Sequence, residues 1–431
     1  MKYANILVCG STRSGKSLAE LSRLVDAARD GAALVVIDPH RDSLGSRLLE
    51  HLIARGLSGR VLFDSLEAVD RVIGYDFLPQ AIAANPLRYL NLVDELVRTF
   101  CDILCRRRNI ESLATAAQTE EWVIPALALY VEQSDHPPLP ILMHAFGPPD
   151  HPDFRRLLSR CRNGEVVAKF RQIETGAVRR GQFAPAERLI RGVCAAPAFA
   201  TRCGATFDLA SFLDGRGILI IEGGGSVSDD AQRTVMGAVI IQTLRYIRSR
   251  PKPYPPVILV LDEATNANLI GASGYEVRAV AETQKMGLSL HTLVQSLNFP
   301  STDITEGMLT NCLRHEWFFA ANEAVVRKAA ADLGSKDYEA GIRSLKPGER
   351  YVKDRDRVFR EYVPLLRDPW GFPGLAKKKA QHALEEIKTR PEYRSPQLIS
   401  GMSFPNPKSE RPLRSNELPP RSEEENPNLG I

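Results

Sequence analysis

Gly10-Ser11-Thr12-Arg13-Ser14-Gly15-Lys16-Ser17 decides how the rest of the chain is read. Its spelling is G-x-x-x-x-G-K-[ST], a loop that cradles phosphates. The apolar run Ile6-Leu7-Val8-Cys9 precedes it and reads as a buried strand. Leu18, Leu21, Leu24 and Val25 follow at a spacing that predicts a helix over 18–28. Strand, loop and helix in that order aim successive backbone N–H groups, and the positive end of a helix, at one anion. Gly10 and Gly15 permit the bend. In this reading all eight loop residues bind nucleotide phosphates. The Lys16 ammonium reaches the outer phosphates and the Ser17 hydroxyl ligates Mg²⁺.

A second motif lies at Pro256-Val-Ile-Leu-Val-Leu-Asp262-Glu263, an apolar strand ending in two carboxylates. This is the Walker B pattern, and Asp262 is expected to hold Mg²⁺. Glu263 is expected to act as general base toward the attacking water. The next strand, Leu288 to Val294, ends in Gln295. That amide is expected to hydrogen-bond the water or the γ-phosphate, and His291 within the strand is given no chemical role. The expected cofactors are therefore ATP and Mg²⁺, and the expected activity is an ATPase.

Further apolar runs at 33–38, 60–64, 217–221, 317–320 and 359–363 alternate with helical stretches. Such alternation predicts an α/β fold with a mainly parallel sheet. From about residue 80 the periodicity becomes helical, broken by Pro137-Pro138-Leu139-Pro140 and Gly147-Pro148-Pro149. The expected organisation is a core in two parts, 1–80 and 206–375, with an all-α insertion at 81–205. Residues 376–431 form a helix and then a disordered tail, because 391–431 hold eight prolines. Within the insertion, residues 154–191 carry ten Lys/Arg against three Glu. That excess is either a solvated helix face or a surface that meets phosphates. Phe154, Phe170 and Phe183 are too few to indicate a base-stacking platform there. Gly223-Gly224-Gly225 is either a tight turn or a second anion loop without its lysine.

Composition sets the outer bounds. The chain has 431 residues, 44% apolar and 25% charged, with a net charge of +4. Those values suit a globular protein and permit a nucleic-acid partner without arguing for one. Seven scattered cysteines fit reduced thiols in a cytoplasm, and no Cys or His cluster has zinc spacing. No apolar run approaches the ~18–20 residues of a membrane span. With the loop starting at residue 10, no signal peptide is expected.

In this order the motifs resemble the HerA–FtsK superfamily of ring-forming P-loop ATPases. Within it they resemble the HerA-like and type IV secretion coupling-protein (TraG/TraD-like) branch. The matching residues are Gly10 to Ser17, Val35-Val36-Ile37-Asp38-Pro39-His40, Val257 to Glu263, Lys285-Met286-Gly287-Leu288 leading to Gln295, and Leu345-Lys346-Pro347-Gly348-Glu349. The resemblance covers roughly 1–80 and 206–365. It implies a RecA-like core, a homo-oligomer that is a hexamer, and ATP-driven movement of DNA through a central channel. The DNA contacts would be phosphate-dominated and of low sequence specificity. The helical insertion corresponds in position to the all-α domain of the coupling proteins. The β-barrel usual at the N-terminus of HerA proteins, and the membrane helices usual in coupling proteins, do not precede residue 10, so a soluble relative is expected. In the resembled family an arginine often stands immediately before Lys-x-Gly; here that place is Gln284. The expectation of a cation acting in trans passes to Arg278, with Lys285 and Arg314 as the other candidates. The loop from Asn266 to Tyr275 is expected to line the channel. Two other classes stay open. One is a coupling-type or anti-phage-complex ATPase that recruits a nuclease or relaxase, with the tail as docking segment. The other is a non-motor regulatory NTPase.

Overall fold

The computed structural model describes residues 4–75, 101, 117–133, 139–194, 196–252, 255–267, 269–270, 282, 284–299, 301–363, 366, 369–370 and 374–396. The apolar runs become one nine-stranded sheet. Seven strands are parallel: β1 (Ile6–Cys9), β2 (Ala33–Asp38), β3 (Val61–Ser65), β5 (Ile218–Glu222), β6 (Val257–Leu261), β7 (Leu288–Val294) and β8 (Arg314–Phe318). A short β4 (Val72–Ile73) stands apart. The hairpin β9 (Glu349–Asp354) and β10 (Arg357–Tyr362) adds an antiparallel edge, giving the order β10-β9-β8-β1-β7-β6-β2-β5-β3. Every residue of β1, β2, β5, β6 and β7 is buried. That is why these strands read as continuous Val/Ile/Leu runs rather than alternating ones.

Register places the chemistry. Cys9 pairs with Val294, Ile37 with Leu261 and Asp38 with Glu222. The loop after β1, the Asp-Glu pair after β6 and Gln295 after β7 therefore emerge on one rim of the sheet. That rim, outside the carboxyl ends of parallel strands, is where ligands bind in open α/β sheets.

The described residues between 117 and 200 are mainly helical: α3 (Ala117–Val131), a 3₁₀ turn (Leu139–Phe146), α4 (Pro152–Arg160), α5 (Gly164–Glu174), α6 (Arg180–Cys194) and α7 (Pro197–Ala200). Trp122, Phe146, Phe170 and Phe183 form its aromatic core, with Phe170 and Phe183 5.8 and 5.7 Å from the Trp122 ring. The phenylalanines of the basic stretch are thus spent on packing. Arg155, Arg160, Arg162, Arg171, Arg179, Arg180, Arg188 and Arg191 remain exposed. Part of their charge is already neutralised, since Arg180 and Arg191 both contact Glu187. His144, His151 and Asp153 also converge in this region, a grouping that sequence spacing did not suggest. The two imidazoles stack at 4.0 Å and 10°, so their in-plane lone pairs run side by side. His151 Nδ1 instead accepts the Asp153 N–H and caps α4.

The strand side and the helical side meet at a buried staple. Arg202, 1% exposed, donates to Asp64 through Nε and Nη2, and the Tyr75 hydroxyl donates to Asp64 at 3.0 Å. The C-terminal part departs from expectation here. The helix Leu375–Ile387 lies on α2 (Leu44–Ala54) and β3. Beyond it, Tyr393–Arg394 (β11) pairs with β4, inside the stretch expected to be disordered from 391. The Tyr393 hydroxyl accepts from Phe63 N and donates to Phe63 O, a double tether whose partner is 330 residues away. The Pro-rich remainder, 397–431, lies outside the described residues. Among the described residues no helix is long and apolar enough to cross a membrane.

Candidate nucleotide site at the strand ends

The loop is held by the strands on either side of it. Gly10 N donates to Val294 O at 3.2 Å, and Ser11 N to Phe319 O at 2.7 Å. Gly348 N donates to Ser14 O at 2.9 Å, so the turn before β9 closes the far side. A side chain at Gly10 would stand 2.6 Å from Phe318 Cβ, and Gly15 sits at φ +110° against Gly348. Both glycines are therefore required by close approach as well as by flexibility. Helix α1 (Lys16–Arg29) begins in the loop itself. Lys16 Nζ donates to Gly10 O at 2.6 Å and Ser11 O at 3.1 Å, which keeps the ammonium inside the loop. Burial holds that ammonium below its ordinary value, against the pull of Glu263 and Asp262.

Asp262 and Glu263 face the loop across a cavity of about 970 Å³, which Gln295 and Tyr362 also line. The Ser17 hydroxyl donates to Asp262 Oδ2 at 3.4 Å, while Oδ1 accepts the Glu263 N–H at 2.9 Å. Glu263 occupies the left-handed region at φ 50°. Its carboxylate is gripped at both oxygens, by Gln295 Nε2 at 2.8 Å and Asn266 Nδ2 at 2.9 Å. A non-glycine residue in that conformation carries strain, and two side-chain clamps fix it there. Carboxylates crowd this rim. Burial first and Glu263 second push Asp262 up to about 6. Burial and then Asp262 push Asp38 well above the carboxylate range, although its oxygens accept from His40 N and Gly45 N. Burial also raises Glu222.

This rim fits a magnesium-bound polyphosphate. A hydroxyl and a carboxylate oxygen from two chain segments are hard ligands of the kind Mg²⁺ takes. Crowded carboxylates gain from a cation among them. The Ser14 hydroxyl is buried in the loop without a protein partner.

One turn and more along α1 the electrostatics reverse. Glu20 Oε1 meets His291 Nδ1 at 2.5 Å, and Arg23 Nη2 contacts Glu20 at 2.8 Å. Arg23 also reaches Glu316, which binds Arg314 and Arg350 as well, at 2.5 to 2.6 Å in each case. Burial would raise the Glu20 carboxyl, but His291 and Arg23 outweigh it and hold it at about 2. Burial is likewise overridden at Glu316, which its three arginines hold below the usual range.

The structure thus gathers Gly10–Ser17, Asp262, Glu263 and Gln295 around one cavity. His291 lies in β7 as expected and is a buried structural partner of Glu20. Arg314, the other candidate cation on a strand, pairs with Glu316, Asp354 and Glu361 at the start of β8. At the described start of the supposed channel loop, Asn266 is exposed and holds Glu263, while Leu269 and Ile270 are buried. Arg278 and 271–275 lie outside the described residues. The glycine run is a packed turn. A side chain at Gly223 would collide with Pro39 O and one at Gly224 with Glu67, whose carboxylate takes the Ser226 N–H. The hold of Asn266 on Glu263 and the place of Tyr362 at the cavity were missed because neither residue belongs to a spaced motif.

No family model matches the chain, and no curated protein matches it in sequence. Solved structures do. The unbound form of the bacterial conjugative coupling protein TrwBdeltaN70 superposes with a TM-score of 0.60 at 16% identity, over 84% of this chain and 85% of that one. The plasmid coupling protein TrwB with the ATP analogue ADPNP gives 0.60 and 16%, over 84% and 86%. TrwB has also been solved with ADP and Mg²⁺. VirB4 of Thermoanaerobacter pseudethanolicus gives 0.56 and 12%, over 85% and 91%. The chain has the fold of these proteins, and the resemblance drawn from its motifs holds at that level.

Proposed function

We propose that this protein is an ATP-hydrolysing motor that assembles into a ring and moves DNA. The observation that carries the reading is the convergence of Lys16, Ser17, Asp262, Glu263 and Gln295 on one cavity, at adjacent strand ends of a TrwB-like fold. ATP and Mg²⁺ are the cofactors, in keeping with the TrwB complexes. Ser17 and Asp262 hold the ion, which neutralises charge on the outer phosphates. The loop N–H groups and Lys16 bind the triphosphate. Glu263, aimed by Gln295 and Asn266, accepts a proton from the attacking water. The ring supplies Arg278 of one subunit to the next subunit's γ-phosphate, a contribution of ~10³–10⁵ in rate where such arginines act.

DNA meets the exposed arginines of 154–191 through its phosphates. A coupling role, with a nuclease or relaxase recruited through 376–431, is the second reading; the TrwB likeness favours it over a regulatory switch. The test is ATP turnover with and without single- and double-stranded DNA at 50 and 200 mM salt, alongside native mass. The expected result is Mg²⁺-dependent turnover raised by DNA, absent in Lys16→Ala, from a hexamer. Turnover indifferent to DNA at both salts would leave a P-loop ATPase without its motor.

A further inference from the structure

The proposed reaction accounts for one flank of the phosphate loop and leaves the other unexplained. On the β7 and β6 side stand Gln295, Asp262 and Glu263. On the other side the sheet continues through β8 and β9 to β10, the edge strand. Two antiparallel pairings in succession make β10 parallel to β1 again, so its last residue, Tyr362, returns to the rim of the loop. Tyr362 lines the same cavity and is 57% exposed.

A single exposed aromatic is ordinary on a protein surface. This one is positioned. Gly348 N binds Ser14 O of the phosphate loop at 2.9 Å, and Val363 N binds Gly348 O at 2.8 Å. The ring lies over Gly348, where a Cβ would come within 3.1 Å of Tyr362 Cε2. Gly348, at φ +86°, thus joins the loop on one side and supports the ring on the other. A triphosphate whose terminal phosphate is at Asp262 and Glu263 points its nucleoside away from β6 and β7, toward this flank.

We propose that Tyr362 is the stacking platform for the nucleobase of the bound nucleoside triphosphate, and that this contact makes the site prefer purines to pyrimidines. This rests on the nucleotide reading of the phosphate loop. A π-face gains from a planar base irrespective of its edge, and a purine covers more of it than a pyrimidine. The contact therefore selects base size and leaves adenine and guanine nearly equal.

The experiment is calorimetric binding of a non-hydrolysable ATP analogue, its UTP counterpart and inorganic tripolyphosphate, each with Mg²⁺, to the wild type, Tyr362→Phe and Tyr362→Ala. The wild type should bind the ATP analogue more tightly than the other two ligands. Tyr362→Ala should bind it roughly 5- to 150-fold more weakly, the range for losing one base–aromatic stack. Tyr362→Ala should also lose the preference over the UTP analogue and keep wild-type affinity for tripolyphosphate. Tyr362→Phe should behave as wild type. Unchanged ATP-analogue binding in Tyr362→Ala, or an equal loss for tripolyphosphate, overturns the platform. A wild type that binds tripolyphosphate as tightly as the ATP analogue overturns it while sparing the phosphate site. A wild type that binds neither overturns both.

Discussion

Two groups of buried carboxylates lie within a few turns of each other and are treated in opposite ways. At the strand ends, Asp38, Glu222, Asp262 and Glu263 crowd together, with burial raising the first three. Farther along α1, Glu20 and Glu316 are buried as deeply, yet cations hold them below the carboxylate range. Both groups are desolvated, so burial does not distinguish them; the partners do. A crowded rim is poised to take a cation and a polyphosphate. A paired network holds helix α1, and so the end of the phosphate loop, against β7, β8 and β9. On the proposed function, the difference separates residues kept for chemistry from residues kept for architecture.

The largest expected effect should split the two. Glu263→Gln removes the proposed base and should slow turnover by ~10²–10⁴-fold, while its urea-unfolding midpoint stays at or above that of the wild type. Single-turnover hydrolysis read beside the melt checks this, and parallel loss in both would place Glu263 in the architecture instead.

Glu316→Gln should do the reverse. Arg23, Arg314 and Arg350 would be left without their shared anion, at a cost of about 3–5 kcal/mol in urea unfolding. A loss below about 1 kcal/mol would mean the network is ornamental to the fold.

Acid should act next, through Glu20. Its folded value of about 2 lies below the ordinary 4.5, so its contribution is fully present above pH 4.5 and is lost as pH falls toward 2. The size is on the order of 3 kcal/mol. Unfolding free energy followed from pH 6 to 3 should fall steeply in the wild type and more gently in Glu20→Gln. Equal slopes would remove Glu20 as the acid-sensitive group.

The smallest effect is expected at the rim again. Glu222 Oε1 accepts from Ser46 N at 3.0 Å, and an amide oxygen can keep that bond. Glu222→Gln should therefore change stability by less than about 1 kcal/mol, and in the stabilising direction, because it removes a crowded charge. A large loss would erase the contrast between the two groups.

Much of this was legible from residue order because its causes are local. The phosphate loop is one contiguous segment whose glycines, lysine and serine are all spelled within eight positions. The strands announced themselves because a parallel sheet buried on both faces demands unbroken apolar runs. The Asp-Glu pair and Gln295 were found because each ends such a run. What the sequence determined by itself was therefore the α/β class, the inserted helices and the identities of the residues at the strand tips.

Only the tertiary structure decided who meets whom. Glu20 meets His291 across 271 positions, and Tyr393 meets Phe63 across 330. Arg314 read as a spare cation until its three carboxylates came into view, and Asn266 read as a loop residue until its amide was found on Glu263. Periodicity reports which face of an element is buried. It does not report which charge from another strand will arrive beside it, because that depends on strand order and register, set by the packing of the whole sheet. The return of β10 to the loop's rim, which brings Tyr362 to the cavity, is of the same kind: two reversals of chain direction at the sheet edge decide it, and no local spacing records them.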